Sequence, residues 1–320
     1  MAEFALIERI RARAATRRAD VLLGIGDDAA VLDPQPGMQL AVCTDTLNAG
    51  VHFPAGTAPD AIGWKALAVN LSDLAAMGAE PAWALLALSL PAADAALVDA
   101  LGAGLLRLAE THGVALVGGD TTRGPLSLAV TALGQVPAGL ALARGGARAG
   151  DAIVVTGTLG DAAAGLELAL HAPHATDAHA QALRARLDYP QPRVRAGIAL
   201  RGRASACIDI SDGLLADLGH LCVASGTGAE VELEALPLSG ALAALRPSGE
   251  ARMLALGGGD DYELCASVPP RQVDTALAAL HQCGCGGTVI GRIVAGSGVR
   301  VRDGRGNTVT PARRGYEHFA

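Results

Sequence analysis

Five short aspartate blocks punctuate this chain: Gly26-Asp27-Asp28, Thr44-Asp45-Thr46, Ser72-Asp73, Gly119-Asp120-Thr121 and Asp209-Ile210-Ser211-Asp212-Gly213. Each lies beside Gly, Ser or Thr, and most abut an apolar run. The fold must therefore bring strands and helices to an end at many acidic points. Carboxylates at element ends beside permissive backbone are the usual means of collecting hard cations such as Mg²⁺. Solvation does not require this many. The blocks imply a site built around several metal ions and a polyphosphate.

With 320 residues the chain has room for two domains of ordinary size. Hydrophobic residues make up 51% but aromatics only 2%, so Ala, Leu, Val and Ile must build the cores. A net charge of −7 argues against a nucleic-acid surface, which needs a basic patch. No uncharged apolar stretch reaches the roughly 18 residues of a membrane span. Met1 to Arg18 lacks a signal-peptide core. It reads as an amphipathic helix with Phe4, Ile7 and Ile10 on one side and Arg11, Arg13, Arg17 and Arg18 among its polar positions. The six cysteines form no C-x-x-C and mostly sit in apolar runs, as free core thiols do. A soluble cytoplasmic protein is expected. Lys65 is the only lysine among 25 basic residues, a rarity read as compositional bias because Arg also supplies surface charge.

Leu40 to Cys43 and Ala82 to Leu90 read as strands, with an apolar helical stripe of Ile62, Leu67, Leu71 and Leu74 over Pro59 to Met77 between them. A second helix is expected from Pro91 to His112. Strands at Val114 to Val117 and Leu126 to Gly134 then flank a Gly118-Gly119-Asp120-Thr121-Thr122 loop. The Gly-, Ala- and Arg-rich stretch Pro137 to Gly150 marks a boundary, giving domains 1–140 and 141–320. In the second half strands are expected at Ala152 to Thr156, Ser205 to Ile210, Leu264 to Val268 and Thr288 to Ile293. Helices are expected at Asp161 to Leu170, Asp212 to Ala224 and Arg271 to Cys283. The alternation makes both domains α/β or α+β.

Gly24-Ile25-Gly26 overlaps half of a dinucleotide fingerprint, but Asp27 and Asp28 would repel a bare pyrophosphate. With a bridging cation the repulsion becomes attraction; without one they are a solvated turn. Thr44-Asp45-Thr46, directly after an apolar strand, either aims hydroxyls and a carboxylate into a crevice or caps the next element. Asp73 shares a helix face with Asn70, and between Gly63 and Met77 only Lys65 and Asp73 are charged. A carboxylate in so apolar a helix is costly unless exposed, paired or metal-bound, and metal is the favoured reading. Ser211 or Asp212 can cap the following helix, whereas Asp209 at a buried strand end has no capping role. Gly257-Gly258-Gly259-Asp260-Asp261-Tyr262-Glu263-Leu264 is a Gly-rich acidic loop suited to holding a substrate. There is no G-x-x-x-x-G-K-[ST], so any ATP must be held by cations and backbone.

Taken in order, these blocks resemble the thiamine-monophosphate kinase family. The carriers are Gly24 to Val31, Thr44 to Leu47 with Gly50-Val51-His52-Phe53, Lys65 to Ala79, Gly118 to Thr122, Arg144 to Ala147, Asp209 to Leu214, Asp261 to Leu264 and Gly315 to Phe319. The resemblance spans nearly the whole chain and implies the two-domain aminoimidazole ribonucleotide synthetase-like fold, with N-terminal sheets pairing into a barrel across a homodimer. It assigns ATP and Mg²⁺ binding and dimerisation to 1–140, and completion of the nucleotide and substrate site to 141–320. It implies transfer of the ATP γ-phosphoryl to thiamine monophosphate, giving thiamine diphosphate, with several Mg²⁺ ions.

By motif match the metal ligands would be Asp28, Cys43, Thr44, Asp45, Asp73, Asp120, Asp209 and Asp212, with Asp27 and Asn70 as secondary candidates. Gly119, Asp120, Arg144 and Ser211 would contact ATP, and His52, Asp260 and Tyr316 the thiamine phosphate. The family often carries Glu where Asp260 stands and Trp where Tyr316 stands; both changes keep the chemical type. The acceptor is an already ionised phosphate oxygen, so no dedicated general acid or base is expected. Tyr316 would stack on the thiazolium or pyrimidine, or else dock the tail. Two other readings compete. One is another ATP-dependent enzyme of the superfamily, against which stands the lack of an N-terminal nucleophilic Cys and of a C-terminal Cys tail. The other is a non-catalytic nucleotide sensor, which would be expected to lose some of the carboxylates retained here.

Overall fold

The structure, a computed structural model, describes residues 3–14 and 18–318. It divides into two compact units. The first takes the chain to Leu74 and Ala79–Gly139; the second takes Ala75–Gly78 and the chain from Leu140.

The first unit runs α1 (Glu3–Arg13), β1 (Val21–Leu23), β2 (Val31–Leu32), β3 (Met38–Asn48), α2 (Pro59–Ala76, whose last two residues fall in the second unit), β4 (Glu80–Leu90), α3 (Ala95–Thr111), β5 (Ala115–Arg123) and β6 (Ser127–Pro137). Its main sheet has the order β3-β6-β4-β5, with β4 and β5 parallel and the other pairs antiparallel. A parallel pair needs a long crossover, and α3 provides it. Every residue of α2 from Ala61 to Ser72 is buried, so the helix is enclosed rather than striped. Glycine makes this possible. A Cβ on Gly63 would lie 1.9 Å from the Leu101 carbonyl oxygen, and one on Gly104 would lie 1.7 Å from that of Asp60, so α2 and α3 touch backbone to backbone.

The second unit runs β7 (Ala152–Thr156), α4 (Asp161–His171), α5 (Ala178–Asp188), α6 (Val194–Leu200), β8 (Ala206–Ile210), α7 (Leu214–Ser225), β9 (Gly228–Glu232), α8 (Gly240–Leu245), α9 (Ser248–Gly257), β10 (Glu263–Val268), α10 (Val273–Gln282), β11 (Gly287–Val294), β12 (Gly298–Arg302) and β13 (Thr308–Val309). Its sheet has the order β13-β12-β9-β11-β7-β10-β8, and the β12–β9 pair is parallel. Ile153, Val155, Ile208 and Ile210 from the sheet meet Leu214, Leu218 and Leu221 of α7 in the main core cluster. Both units are mixed α/β layers.

Several expectations are corrected. Helix α1 ends at Arg13, not Arg18, and buries Leu6; residues 15–17 and the Phe4 side chain lie outside the description. Helix α3 starts at Ala95 rather than Pro91, because the Asp94 carboxylate accepts from the Ala96 and Leu97 amides and caps it there. Strand β3 spans 11 residues, so Thr44-Asp45-Thr46 lies within a strand and not beyond its end. Residues 118–122 are likewise strand, paired to β4, and the turn follows at 124–126. Helices α5, α6, α8 and α9 and strands β1, β2, β9, β12 and β13 are additions. Among the described residues no helix is long and apolar enough to cross a membrane.

Candidate active site

In the first unit the carboxylates of β3 and α2 meet. Strand alternation turns Ala41, Cys43, Asp45 and Leu47 inward and Leu40, Val42, Thr44 and Thr46 outward. Asp45 and Asp73 are hydrogen-bonded to each other, and burial raises the Asp45 pKa above the ordinary carboxylate value. Cys43 lies beside both. Burial, then the charges of Asp73 and Asp45, push its thiol up, and Sγ donates to the Asn70 carbonyl at 3.3 Å. The Asn70 amide donates to the Ala66 carbonyl at 3.0 Å, locking its orientation. Thr44, on the other face, bonds through Oγ1 to Thr131 Oγ1 and to the Val130 carbonyl, so its hydroxyl takes no part in the Asp45 cluster.

Asp120 stands on the far edge strand. The register rows are Asp45–Val130–Leu86–Gly119 and Thr46–Ala129–Ala87–Asp120, so by the pleat Asp120 belongs to the face of Thr46 rather than that of Asp45. Gly119 has φ +150°, and a Cβ there would lie 1.9 Å from the Leu86 carbonyl oxygen. Packing against β4 thus already demands its glycine. A cavity of about 410 Å³ opens beside this strand, lined by Leu6, Leu90, Pro91, Thr121, Thr122 and Arg123. Asp27 and Asp28 are exposed in the segment between β1 and β2, where the Asp28 amide donates to Asp27 Oδ1 at 2.9 Å. His52 accepts from the Asn48 amide at Nδ1 (3.0 Å), which assigns its proton to Nε2.

In the second unit the expected residues converge on one turn. Asp209 is buried at the end of β8, and Ser211-Asp212-Gly213 follows. Neither Ser211 nor Asp212 caps α7; the N-cap is Gly213 with no side-chain bond. Instead Asp217, in the first turn of α7, accepts through one oxygen from the amides of Ser211, Asp212 and Gly213 at 3.1, 3.1 and 3.0 Å. Burial, then Asp209 and Asp212, push its pKa up to about 7. The Ser211 carbonyl accepts from the Asp260 amide at 2.8 Å, and the Asp212 carbonyl from the Tyr316 amide at 3.0 Å. Asp260 has φ +68° and Tyr262 φ +50°, conformations that cost non-glycine residues ~1 kcal/mol or more and collect at functional sites. The Tyr262 hydroxyl donates to Asp260 Oδ1 at 2.9 Å and holds that carboxylate in place. Tyr316 is 38% exposed, and its ring meets the His318 ring edge-on at 5.0 Å. Arg144 is exposed on a segment fixed by Ser225, whose hydroxyl donates to the Arg144 carbonyl and accepts from the Gly146 and Ala147 amides.

Among the described residues no three His, Cys, Asp or Glu side chains form a ready metal cage. The donor chemistry nonetheless fits Mg²⁺. That ion keeps several waters and binds through one or two carboxylates plus phosphates rather than an all-protein cage. The hydrogen-bonded Asp45–Asp73 pair offers hard oxygens to such an ion.

Family models for the AIR synthase related protein match this chain over residues 26–136 (N-terminal domain) and 148–304 (C-terminal domain). It is 49% identical to the thiamine-monophosphate kinase of Salmonella typhimurium, over 99% of this chain and 98% of the relative. The chain belongs to the thiamine-monophosphate kinase family. The Haemophilus influenzae kinase is 41% identical over 100% of this chain and 98% of its own. Among solved structures, the thiamine-monophosphate kinase of Stenotrophomonas maltophilia superposes with a TM-score of 0.88 at 53% identity, covering 97% and 98% of the two chains. AaThiL complexed with AMPPCP and TMP gives 0.79 at 35% identity, covering 99% and 97%. The two-domain AIR synthase-like fold and the enzyme class implied by the family resemblance are thereby established.

Reasoning from motifs missed three supporting residues: Lys65, Asp217 and Tyr262. Asp217 carried a usable signal, since α7 (LLADLGHLCVAS) has no other carboxylate in an otherwise apolar helix, the pattern that singled out Asp73.

Proposed function

We propose that this enzyme transfers the γ-phosphoryl group of ATP in line to thiamine monophosphate, forming thiamine diphosphate. The observation that carries this is the convergence of Ser211, Asp212, Asp260 and Tyr316 on one turn through main-chain bonds of 2.8 and 3.0 Å. Residues far apart in sequence, each with an expected nucleotide, metal or substrate role, share one rigid frame. The relative solved with AMPPCP and TMP supports the same pair of substrates.

In this reading Asp28, Asp45, Asp73 and Asp120 of the first unit and Asp209 and Asp212 of the second hold Mg²⁺. When bound, the ions neutralise repulsion between the two anionic substrates and the charge that builds on the transferring group. Ser211 and Arg144 orient ATP. His52, with Nε2–H as donor, and Asp260 orient thiamine monophosphate, and Tyr316 offers its ring face to the cationic heterocycle. The acceptor oxygen is already ionised, so positioning and charge neutralisation suffice and no general base is assigned. The enzyme works as a cytoplasmic homodimer paired through its N-terminal sheets. In support, edge strand β3 presents Leu40 and Val42, 48% and 59% exposed, on its outer face.

The test is incubation of the purified protein with Mg²⁺, ATP and either thiamine monophosphate or thiamine, with chromatographic resolution of the products. Thiamine diphosphate from the monophosphate, with little reaction of free thiamine, is expected. Phosphorylation of thiamine alone, or no diphosphate, would defeat the assignment.

A further inference from the structure

The turn Ser211-Asp212-Gly213 is bonded on both sides of its backbone. Its three amides converge on a single oxygen of Asp217, at 3.0 to 3.1 Å. On the carbonyl side, Ser211 accepts from Asp260 N and Asp212 from Tyr316 N, while Ile210, just before the turn, accepts from Tyr262 N at 2.8 Å. The three backbone segments are in close contact. A Cβ on Gly259 would lie 2.6 Å from the Ser211 carbonyl oxygen, and one on Gly315 would lie 2.5 Å from the Ala216 Cβ and 3.2 Å from the Asp212 carbonyl oxygen. Gly213 itself has φ +128°, a region closed to side-chain-bearing residues, and a Cβ there would lie 3.1 Å from the Gly258 carbonyl oxygen. The turn therefore cannot move without displacing the segments that carry Asp260 and Tyr316. Asp217 is 3% exposed, anchored in the first turn of α7, whose Leu214, Leu215, Leu218 and Leu221 are core residues. The anchor is rigid.

We infer that Asp217 is a positioning residue that sets the nucleotide-side and substrate-side groups together, by holding the one turn from which both are hung. This rests on the roles proposed above for Ser211 toward ATP and for Asp260 and Tyr316 toward thiamine monophosphate. Its signature is joint. Loss of the anchor loosens Ser211 and Asp212 directly and Asp260 and Tyr316 through the carbonyls of the turn. A misplacement of about 1 Å at such groups is enough to cost catalysis up to ~10²-fold. One oxygen takes all three amides, so the feature required is an acceptor held at that point. Asparagine supplies a carbonyl oxygen at the same reach; glutamate keeps the charge but moves the acceptor by one methylene.

The experiment compares Asp217→Asn, Asp217→Glu and Asp217→Ala in steady-state kinetics for both substrates, and in amide hydrogen exchange of the free protein. Asp217→Asn should keep both KM values within about threefold of the parent, while Asp217→Glu and Asp217→Ala raise both by about tenfold or more. Exchange at residues 211–213, 260 and 316 should quicken in the same two variants and stay near parental in Asp217→Asn. If Asp217→Ala does not fold, the Glu and Asn variants decide alone. A parental Asp217→Glu beside an impaired Asp217→Asn would overturn the inference, as would a change in one KM only or unchanged exchange at 260 and 316. Ser211→Ala and Asp260→Ala test the underlying roles, each being expected to raise one KM, for ATP and thiamine monophosphate respectively. If neither moves its KM while exchange responds as stated, the anchor stands and the substrate roles fall.

Discussion

Lys65, 3% exposed on α2, donates from Nζ to the main-chain carbonyl of His52 at 3.1 Å. The one lysine of the chain thus ties the segment carrying an expected substrate contact to the most enclosed helix of the first unit. Its position follows from tertiary structure, not from composition. Lys65→Met should raise the KM for thiamine monophosphate about fivefold or more and leave that for ATP near its parental value, since the donor lost serves the His52 segment. Equal changes in both would show that the contact serves general stability only.

Asp45 and Asp73 share a hydrogen bond in a buried setting that disfavours the ionised form of Asp45. Asp45→Asn should lower turnover on the order of 10²-fold or more, because metal charge near the transferring group is lost. In EDTA the same variant should melt no lower than the parent, since a neutral amide relieves the desolvation of the carboxylate. Calorimetry with and without Mg²⁺ checks both signs. A variant that is active and less stable would remove Asp45 from the ligand set. Asp120→Asn should reduce turnover on the same scale.

Leu40 and Val42 alternate with inward-facing Ala41 and Cys43 on the edge strand of the first sheet. Val42→Asp combined with Leu40→Asp should yield a monomer by light scattering, because charges on that face are incompatible with a paired sheet. A dimer that survives both changes would place the interface elsewhere.

Asp20 accepts from Arg18 at 2.9 and 2.7 Å and from the Trp83 indole at 3.2 Å, and the Arg18 bond chiefly holds its pKa below the ordinary value. A depressed carboxylate stabilises the fold above its unfolded pKa and loses that contribution as pH falls through the folded one. Asp20→Asn should therefore melt lower than the parent at pH 7 by on the order of 1 kcal/mol, or ~3 °C. The gap should close in the acid range below about pH 4. Trp83 fluorescence offers a local reading of the same transition, and a gap independent of pH would show that the ion pair is not its source.

Asp73 was legible because the apolar α2 supplies no reason for a carboxylate there other than a partner. β8 and α7 were legible because a short apolar run, broken only by Asp209, meets a Ser-Asp-Gly turn. Helix α5, with the sequence AHAQALRARLD, was not, since its polar residues interrupt the period and it is held by packing of Ala180, Leu183 and Leu187. The reach of β3 past Thr44 was hidden for a related reason. An edge strand tolerates polar residues on its open face, so composition does not mark where pairing with β6 stops.

The sequence by itself determined the chemistry: which carboxylates, hydroxyls and glycines are present, in what order, and hence the family and the kind of reaction. Periodicity and turn residues act over a few positions, and they carried the main elements. Tertiary structure decided which of those groups meet. It put Thr44 and Asp45 on opposite faces of one strand, moved Asp120 to the other edge of the sheet, and joined Ser211, Asp260 and Tyr316 through main-chain bonds that no side-chain pattern records. It also gave Lys65 and Asp217 their roles, because a buried donor or acceptor acquires meaning only from the backbone group placed opposite it.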